Sequence, residues 1–368
     1  MSDALGVPNI FTIAAPLIDA MQDHPEFSVG YNRYFCSKQL VIGPQDQAIN
    51  LLRFSIRQGS PDAVAWYHRV LKTEKTNLEL AGRVLGLAVS SSHRFSNGVS
   101  FRDLAELPDT ENFNALKVDG AKWSIDRTSV ASIDIGAADG GSVYDNGIER
   151  VSNAKEQLRA TVNSLSLSEK CNPIVAETWI NFLDPDLQAA EYFRIWSRSE
   201  TEGSLPLGGL TLSWREVHWV EKFLQCPKEV MDACKIPLER LNTARRRLSA
   251  GDKALDGAIC LETLLSGQGS GELTHKVSVR TALLLGKSLN ERKEIRKRVR
   301  DFYSLRSAVV HGSTKRKRPD DDRRTAEDGL ELCLAVLRAV IENKTAPAPE
   351  EWELTGGPPW NRFNSITP

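Results

Sequence analysis

The chain has 368 residues, a net charge of −1 and 41% hydrophobic residues, values that are typical of a globular protein. This length allows two or three domains with separate hydrophobic cores, and the composition excludes a collagen-like or wholly disordered chain. The amino terminus lacks a basic-then-apolar signal segment, and nowhere do about 18 apolar residues run together. We therefore expect a soluble, cytoplasmic protein without a membrane partner.

The six cysteines are scattered, without a Cys-x-x-Cys pair or a nearby histidine at metal-ligand spacing. This distribution argues against a zinc site and a disulfide framework, and it favours a reducing compartment. Cys260 and Cys333 fall in apolar runs and are expected in the core. The sequence therefore predicts no metal and no cofactor.

Residues 1–228 combine helical and strand-like patterns, and we expect a mixed α/β region. Apolar spacing predicts helices at residues 45–58, 61–71, 153–165 and 185–197. β-branched residues at 128–135 predict a strand, while 78–89 fits either a short helix or a buried strand. No nucleophile, base and orienting group recur here at a recognised spacing, so no reaction is predicted for this region.

Residues 229–345 are helical throughout in their apolar pattern. Five helices are expected, beginning near Pro237, Asp252, Leu273, Ser288 and Pro319. Short connections between them favour an antiparallel bundle. Residues 346–368 are rich in proline and glycine and are predicted to form a tail. The predicted fold class is thus α+β, a mixed α/β amino-terminal region followed by an all-α antiparallel helical bundle.

The fourth of these helices carries the most informative residues. Ser288 and Glu291 have the spacing of a capping box at its start, and Gly312 follows its end. An apolar stripe at helical spacing is formed by Ile295, Val299, Phe302 and Val309. Arg306 lies in line with that stripe, and it either stacks along it with its head in water or binds an anion. His311 follows in the last turn, where exposed carbonyls favour the protonated imidazole.

This helix and the loop after it are strongly basic. From Glu291 to Arg318, eleven Arg or Lys residues stand against three acids, a local excess of eight positive charges in a nearly neutral chain. Such a strip either is a solvated helix face or binds a polyanion at a defined place.

The spacing Arg-x4-His followed by Gly, at Arg306, His311 and Gly312, resembles the HEPN superfamily of helical ribonucleases, in particular its Apea-like branch. DKALDGAICLETLL (residues 252–265) looks like the second helix of that branch. VRTALLLG is similar to its third helix, and DFYSLRSAVVHG to the end of its fourth. The resemblance covers roughly residues 230–345. It implies a HEPN-like bundle that works as a symmetric homodimer, with Arg306 and His311 of both copies lining one cleft.

The geometry of a helix makes such pairing attractive. Five residues amount to roughly 140° of rotation and about 7.5 Å of rise, so Arg306 and His311 of one copy point to different sides. A two-fold mate would bring both residues to one site. The 2′-hydroxyl of RNA is then the nucleophile, and Arg306 holds the phosphate. His311 either takes the 2′-hydroxyl proton or protonates the leaving 5′-oxygen. The residues expected to contact RNA are Ser307, Lys315, Arg316, Lys317 and Arg318.

Two charges lie on otherwise apolar helix faces. Glu262 and Arg280 are predicted to form an ion pair between the second and third helices of the bundle. The alternative is that Glu262, together with Asp256, orients Arg306 or His311.

By analogy with that family, we expect a metal-independent endoribonuclease that acts as a toxin or antiviral defence effector. The amino-terminal region would sense a trigger or hold the site inactive, and an antitoxin or defence-system protein is a further partner, besides RNA and a second copy. The alternative is a non-catalytic RNA-binding or scaffold protein, in which Arg306 and His311 pack at a dimer interface. It predicts salt-sensitive RNA binding without cleavage.

Overall fold

A computed structural model describes most of this protein. The described residues are 15–20, 31–35, 38–42, 44–107, 128–140, 147–169, 171–190, 197–198, 210–267, 272–310 and 319–361. Within them, a region of strands and helices is followed from Lys228 onward by helices alone. This order confirms the predicted fold class, a mixed α/β amino-terminal region followed by an all-α part.

Most of the strands belong to one antiparallel sheet. They are β1 (Tyr31–Phe35), β2 (Lys38–Ile42), β3 (Lys75–Leu85), β4 (Leu87–Ala88), β5 (His93–Arg94), β6 (Ser100–Asp103), β7 (Thr128–Asp139), β8 (Ile174–Phe182), β9 (Ser197–Arg198) and β10 (Leu210–Thr211). Six of them form a sheet in the order β5-β6-β7-β3-β8-β9. β1 and β2 form a separate antiparallel pair, and β4 and β10 a short parallel one.

Along the chain, helices come before, between and after the strands of this sheet. They are α1 (Pro44–Gln58), α2 (Ser60–Lys72), α3 (Ile148–Ser164), α4 (Pro185–Ala190), α5 (Trp214–Leu224), α6 (Lys228–Arg246), α7 (Ala250–Leu265), α8 (Leu273–Leu285), α9 (Leu289–Val310), α10 (Pro319–Asn343) and α11 (Pro349–Thr355). Residues 15–20 form a short helix before β1. None of the described helices is both long and apolar enough to cross a lipid bilayer.

The six-stranded sheet is built around β3, which pairs with β7 on one side and with β8 on the other. α3 packs against it through apolar residues at helical spacing, such as Leu158 and Val162. Gly82 permits this close packing, because a Cβ there would lie 3.0 Å from Val175 Cγ1 and 3.5 Å from Leu158 Cδ2. One hydrophobic core therefore joins the sheet and α3.

Helices α6 to α10 pack around a second hydrophobic core. The connections at residues 247–249 and 286–288 are so short that α7 folds back along α6 and α9 along α8. α7 lies at the centre of the group, in contact with α6, α8, α9 and α10. Gly257 and Gly329 make room for the ring of Phe302, since a Cβ would lie 2.7 Å and 2.1 Å from it, respectively.

Polar contacts tie the sheet region to the helices. Arg245 on α6 donates to the carbonyl oxygens of Ser166 at 2.5 Å and Ser168 at 2.6 Å. Arg338 on α10 donates to the carbonyl of Leu167 at 2.7 Å. Burial lowers the pKa of Arg245 to about 10, so it remains charged at neutral pH. These guanidinium groups supply donors to the carbonyls of the turn that follows α3.

Several predicted elements have different bounds in the structure. The first bundle helix begins at Lys228 and contains Pro237 in its interior, so the proposed start near that proline was wrong. The helix expected at 185–197 is described only as Pro185–Ala190, and Ser197 lies in β9. Residues 78–89 fitted either a short helix or a buried strand, and the structure has a strand at Lys75–Leu85. β8 was not predicted at all.

Residues 346–361, predicted as part of a tail, pack onto the helical bundle. Trp352 of α11 is 3% exposed and belongs to the second hydrophobic core. Asn361 Nδ2 donates to the carbonyls of Leu283 at 2.9 Å and Leu284 at 2.7 Å. The residues after α10 therefore supply hydrogen-bond donors to the free carbonyls at the carboxyl end of α8.

Candidate functional site

Helix α9 carries the central residue of the candidate site. Ser288 Oγ accepts from the Glu291 amide at 3.2 Å, as a capping residue does. The Glu291 carboxylate accepts from the amide of Lys287 at 2.7 Å, one residue before the amide expected from the sequence. These contacts satisfy free amides at the start of α9 and fix its direction into the bundle.

Arg306 lies near the carboxyl end of α9, on the side that faces α7. Its Nη2 is 3.8 Å from Glu262 Oε1, and the two side chains are 32% and 19% exposed, respectively. Arg306 Nε has no hydrogen-bond partner among the described residues. The guanidinium is therefore held next to a carboxylate, and because Nε is buried, only the exposed part of the group can reach another acceptor.

Tyr303 lies beside this pair. It precedes Arg306 by three residues and so occupies the same face of α9. Burial, followed by the negative charge of Glu262, raises the pKa of Tyr303 well above its ordinary value. The phenol therefore remains protonated at every physiological pH. Tyr303 was not among the site residues predicted from the sequence, although its spacing of three residues from Arg306 was a usable signal.

Asp256 does not take part in this group. Its two carboxylate oxygens contact Arg240 Nη1 at 3.2 Å and Arg247 Nε at 2.8 Å. Asp256 and Glu262 are six residues apart on α7, which places them about 120° apart around the helix. Asp256 therefore faces α6, and the proposal that it orients Arg306 was wrong. Of the two predicted supporting residues, the structure brings only Glu262 to Arg306.

The predicted ion pair between Glu262 and Arg280 is not formed either. Arg280 Nε donates to Glu353 Oε1 on α11 at 2.8 Å. Its Nη1 donates to the carbonyls of Leu265 at 2.8 Å and Ser266 at 2.5 Å. These are carbonyls at the end of α7, which need donors and favour a positive charge. Arg280 thus donates to free carbonyls at the carboxyl end of α7, and the cation that lies beside Glu262 is Arg306.

Ser307, the next residue along α9, is exposed. The remaining predicted site residues, His311, Lys315, Arg316, Lys317 and Arg318, lie outside the described residues. His311 follows directly in sequence after Val310, the last residue of α9.

The outward surface of α9 is basic and polar. Positions spaced by four and three residues form one exposed row, Lys293, Lys297, Arg300, Ser304 and Ser307, which we call the α9 strip. Arg298, by contrast, is directed toward α10, where it donates to the carbonyl of Asp328 at 3.1 Å. The strip therefore offers cations to solvent at one end and small hydroxyl side chains at the Arg306 end.

Among the described residues, no three His, Cys, Asp or Glu side chains are grouped so as to hold a metal ion. No family model, curated protein or solved structure matches this chain. The HEPN resemblance accordingly rests on the sequence motifs given above.

Proposed function

We propose that this chain is an endoribonuclease that cuts RNA without a metal ion, at a site formed by Arg306 and His311. The observation that supports this most is the state of Arg306. Its side chain is 32% exposed, and its Nη2 lies 3.8 Å from Glu262 Oε1. A partly exposed cation held beside a carboxylate is suited to a phosphate whose charge grows during the reaction.

The reaction needs only groups of RNA and of this chain. The 2′-hydroxyl oxygen attacks the adjacent phosphorus and loses its proton to a base, which we assign to His311. The bond from phosphorus to the 5′-oxygen breaks, and an imidazolium protonates that oxygen. The products are a 2′,3′-cyclic phosphate and a 5′-hydroxyl. Arg306 donates to the phosphate oxygens throughout.

The α9 strip supports RNA as the substrate. Lys293, Lys297 and Arg300 recur along one exposed row that ends in the same turn of α9 as Arg306. A row of this kind can follow a phosphate backbone, and binding through it falls steeply as salt rises. Lys315 to Arg318 would extend the same contact beyond His311.

A second copy of the chain completes the site in this proposal. Ser304 and Ser307 are small exposed residues in the same turn of α9 as Arg306, and small residues allow two helices to approach closely. Lys293, Lys297 and Arg300 would repel their counterparts, so RNA or added salt is expected to strengthen the dimer. A cytoplasmic toxin or antiviral defence effector, held in check by residues 1–228 or by an antitoxin, is the biological role that the HEPN resemblance suggests.

The alternative is a non-catalytic RNA-binding or scaffold protein. Arg306 lies close to Glu262 within one chain, which favours this alternative, because such an ion pair can have the purely structural role of joining α7 to α9. This protein would bind RNA in a salt-sensitive way and leave it intact.

The substrate itself offers a sharp test. We would incubate the protein with a labelled single-stranded RNA in EDTA, together with a DNA strand of the same sequence. The proposal predicts that only the RNA is cut, with cyclic phosphate and 5′-hydroxyl ends. Intact RNA that is nevertheless bound would support the scaffold alternative, and cleavage of the DNA would exclude the 2′-hydroxyl mechanism.

A further inference from the structure

Three buried polar atoms are grouped where α9 meets α7. They are Glu262 Oε1, Tyr303 Oη and Arg306 Nε, and none of them has a hydrogen-bond partner in the described part of the chain. Most buried polar atoms in proteins are hydrogen-bonded, because a buried donor or acceptor without a partner is costly. Unpaired atoms gathered beside the candidate catalytic arginine therefore indicate polar groups with a role beyond packing.

Two of these atoms are complementary. Tyr303 is 4% exposed and precedes Arg306 by three residues, so both side chains lie on the face of α9 toward α7. The negative charge of Glu262 contributes, after burial, to raising the pKa of Tyr303, which places the carboxylate near the phenol. The phenol keeps its proton and can donate, whereas an ionised carboxylate only accepts.

Glu262 lacks any other means of being held in one orientation. Its Oε1 lies 3.8 Å from Arg306 Nη2, which is beyond hydrogen-bond distance. Arg280, the other cation expected at Glu262, donates instead to Glu353 and to carbonyls at the end of α7. Directed hydrogen bonds fix the geometry of a charged pair, and a contact through charge alone does not.

We propose that Tyr303 is a positioning residue of the nuclease site, whose hydroxyl donates to Glu262 so that the fixed carboxylate holds Arg306 toward the scissile phosphate. The carboxylate reaches the hydroxyl by turning about its last bond, a torsion without sharply preferred values. Tyr303 is buried, so it acts through Glu262 and does not itself contact RNA. This role rests on the proposed function.

The kinetic constants of Tyr303→Phe test the positioning role. The substitution removes one hydroxyl and keeps the ring, and we expect kcat for RNA cleavage to fall about threefold to tenfold because Arg306 is less well placed. KM should not change, since the exposed groups that bind RNA are retained. Tyr67→Phe makes the same change at a buried residue of α2 and should leave both constants unaltered.

A double-mutant cycle with Glu262→Ala tests the hydrogen bond itself. Loss of either partner removes the same interaction, so the effects of the two substitutions should not add. Tyr303→Phe should lower the urea midpoint of unfolding in the wild type and shift it less in the Glu262→Ala background. It should likewise cause no further loss of kcat once Glu262 has been replaced.

The two readouts separate this proposal from the nuclease proposal. RNA left intact by the wild type would contradict the nuclease proposal and this role with it. Cleavage by the wild type and Tyr303→Phe with equal kcat would overturn the positioning role alone. Independent effects of Tyr303→Phe and Glu262→Ala on the urea midpoint would overturn the hydrogen bond, whether or not RNA is cut.

Discussion

Glu262 on α7 lies 3.8 Å from Arg306 on α9, and the contact joins the centre of the bundle to the end of the helix that precedes His311. At 3.8 Å the two groups are too far apart for a hydrogen bond, so the pair is a charge contact alone.

Replacement of Glu262 by Gln tests whether the carboxylate positions Arg306 for reaction. We expect kcat for RNA cleavage to fall about tenfold, because a misplaced catalytic cation loses much of its effect. KM should stay the same or decrease, since one negative charge near the substrate is removed. Glu294→Gln, on an exposed residue of α9, makes the same charge change and should leave kcat unaltered. An unchanged kcat in Glu262→Gln would rule out the positioning role.

The buried pair Arg83 and Glu177 allows a stability prediction for the sheet. Arg83 Nη2 lies 3.0 Å from Glu177 Oε2, and the Arg83 side chain is 5% exposed. Glu177→Ala leaves that guanidinium buried without its carboxylate, so the free energy of unfolding in urea should fall by about 3 kcal/mol. Asp139→Ala, which removes the exposed partner of Lys75, should cost under about 1 kcal/mol. Equal costs for the two variants would contradict the burial argument.

Gly329 is predicted to be irreplaceable on steric grounds. A Cβ at this position would lie 2.1 Å from Phe302, although alanine is the better helix former. Gly329→Ala should lower the free energy of unfolding by about 3 kcal/mol through overpacking. Adding Phe302→Leu should recover part of that loss, because the smaller side chain gives the new methyl group room. A single variant as stable as the wild type would show that the ring can move aside.

Glu216 gives the protein a pH-dependent contribution to stability. Burial raises the pKa of Glu216. Hydrogen bonds, first from Ser213 and then from Ser168, lower this pKa by more than burial raises it, so the net shift is downward. The contribution is complete above the ordinary pKa of 4.5 and is lost as the pH falls through the lower folded value. The melting temperature of Glu216→Gln should therefore lie below that of the wild type at pH 7, with the gap closing in strong acid. A gap of equal size at both pH values would refute this assignment.

The sequence predicted those elements whose signals are local. The capping spacing at Ser288 and the apolar stripe located α9, and Leu330, Cys333, Leu337 and Val340 of α10 are all buried as expected. The strand β8 was missed because residues on both of its faces are buried, which removes the alternation that marks a half-exposed strand.

Long-range partners were harder to predict than elements. Arg280 was assigned to Glu262, but its carboxylate partner is Glu353, 73 residues further along the chain. A charge on an apolar helix face indicates that a partner exists without indicating which one. Helical phase did carry information, since it separates Asp256 from Glu262 around α7 and places Tyr303 beside Arg306.

The most direct test of the nuclease proposal compares the wild type with Arg306→Ala and His311→Ala on RNA in EDTA. Arg296→Ala, which removes an exposed arginine of the same helix outside the α9 strip, serves as the matched control. We predict that the wild type and Arg296→Ala cut the RNA, and that the other two variants bind it without cutting. Equal cleavage by all four proteins would contradict the assignment of the reaction to Arg306 and His311.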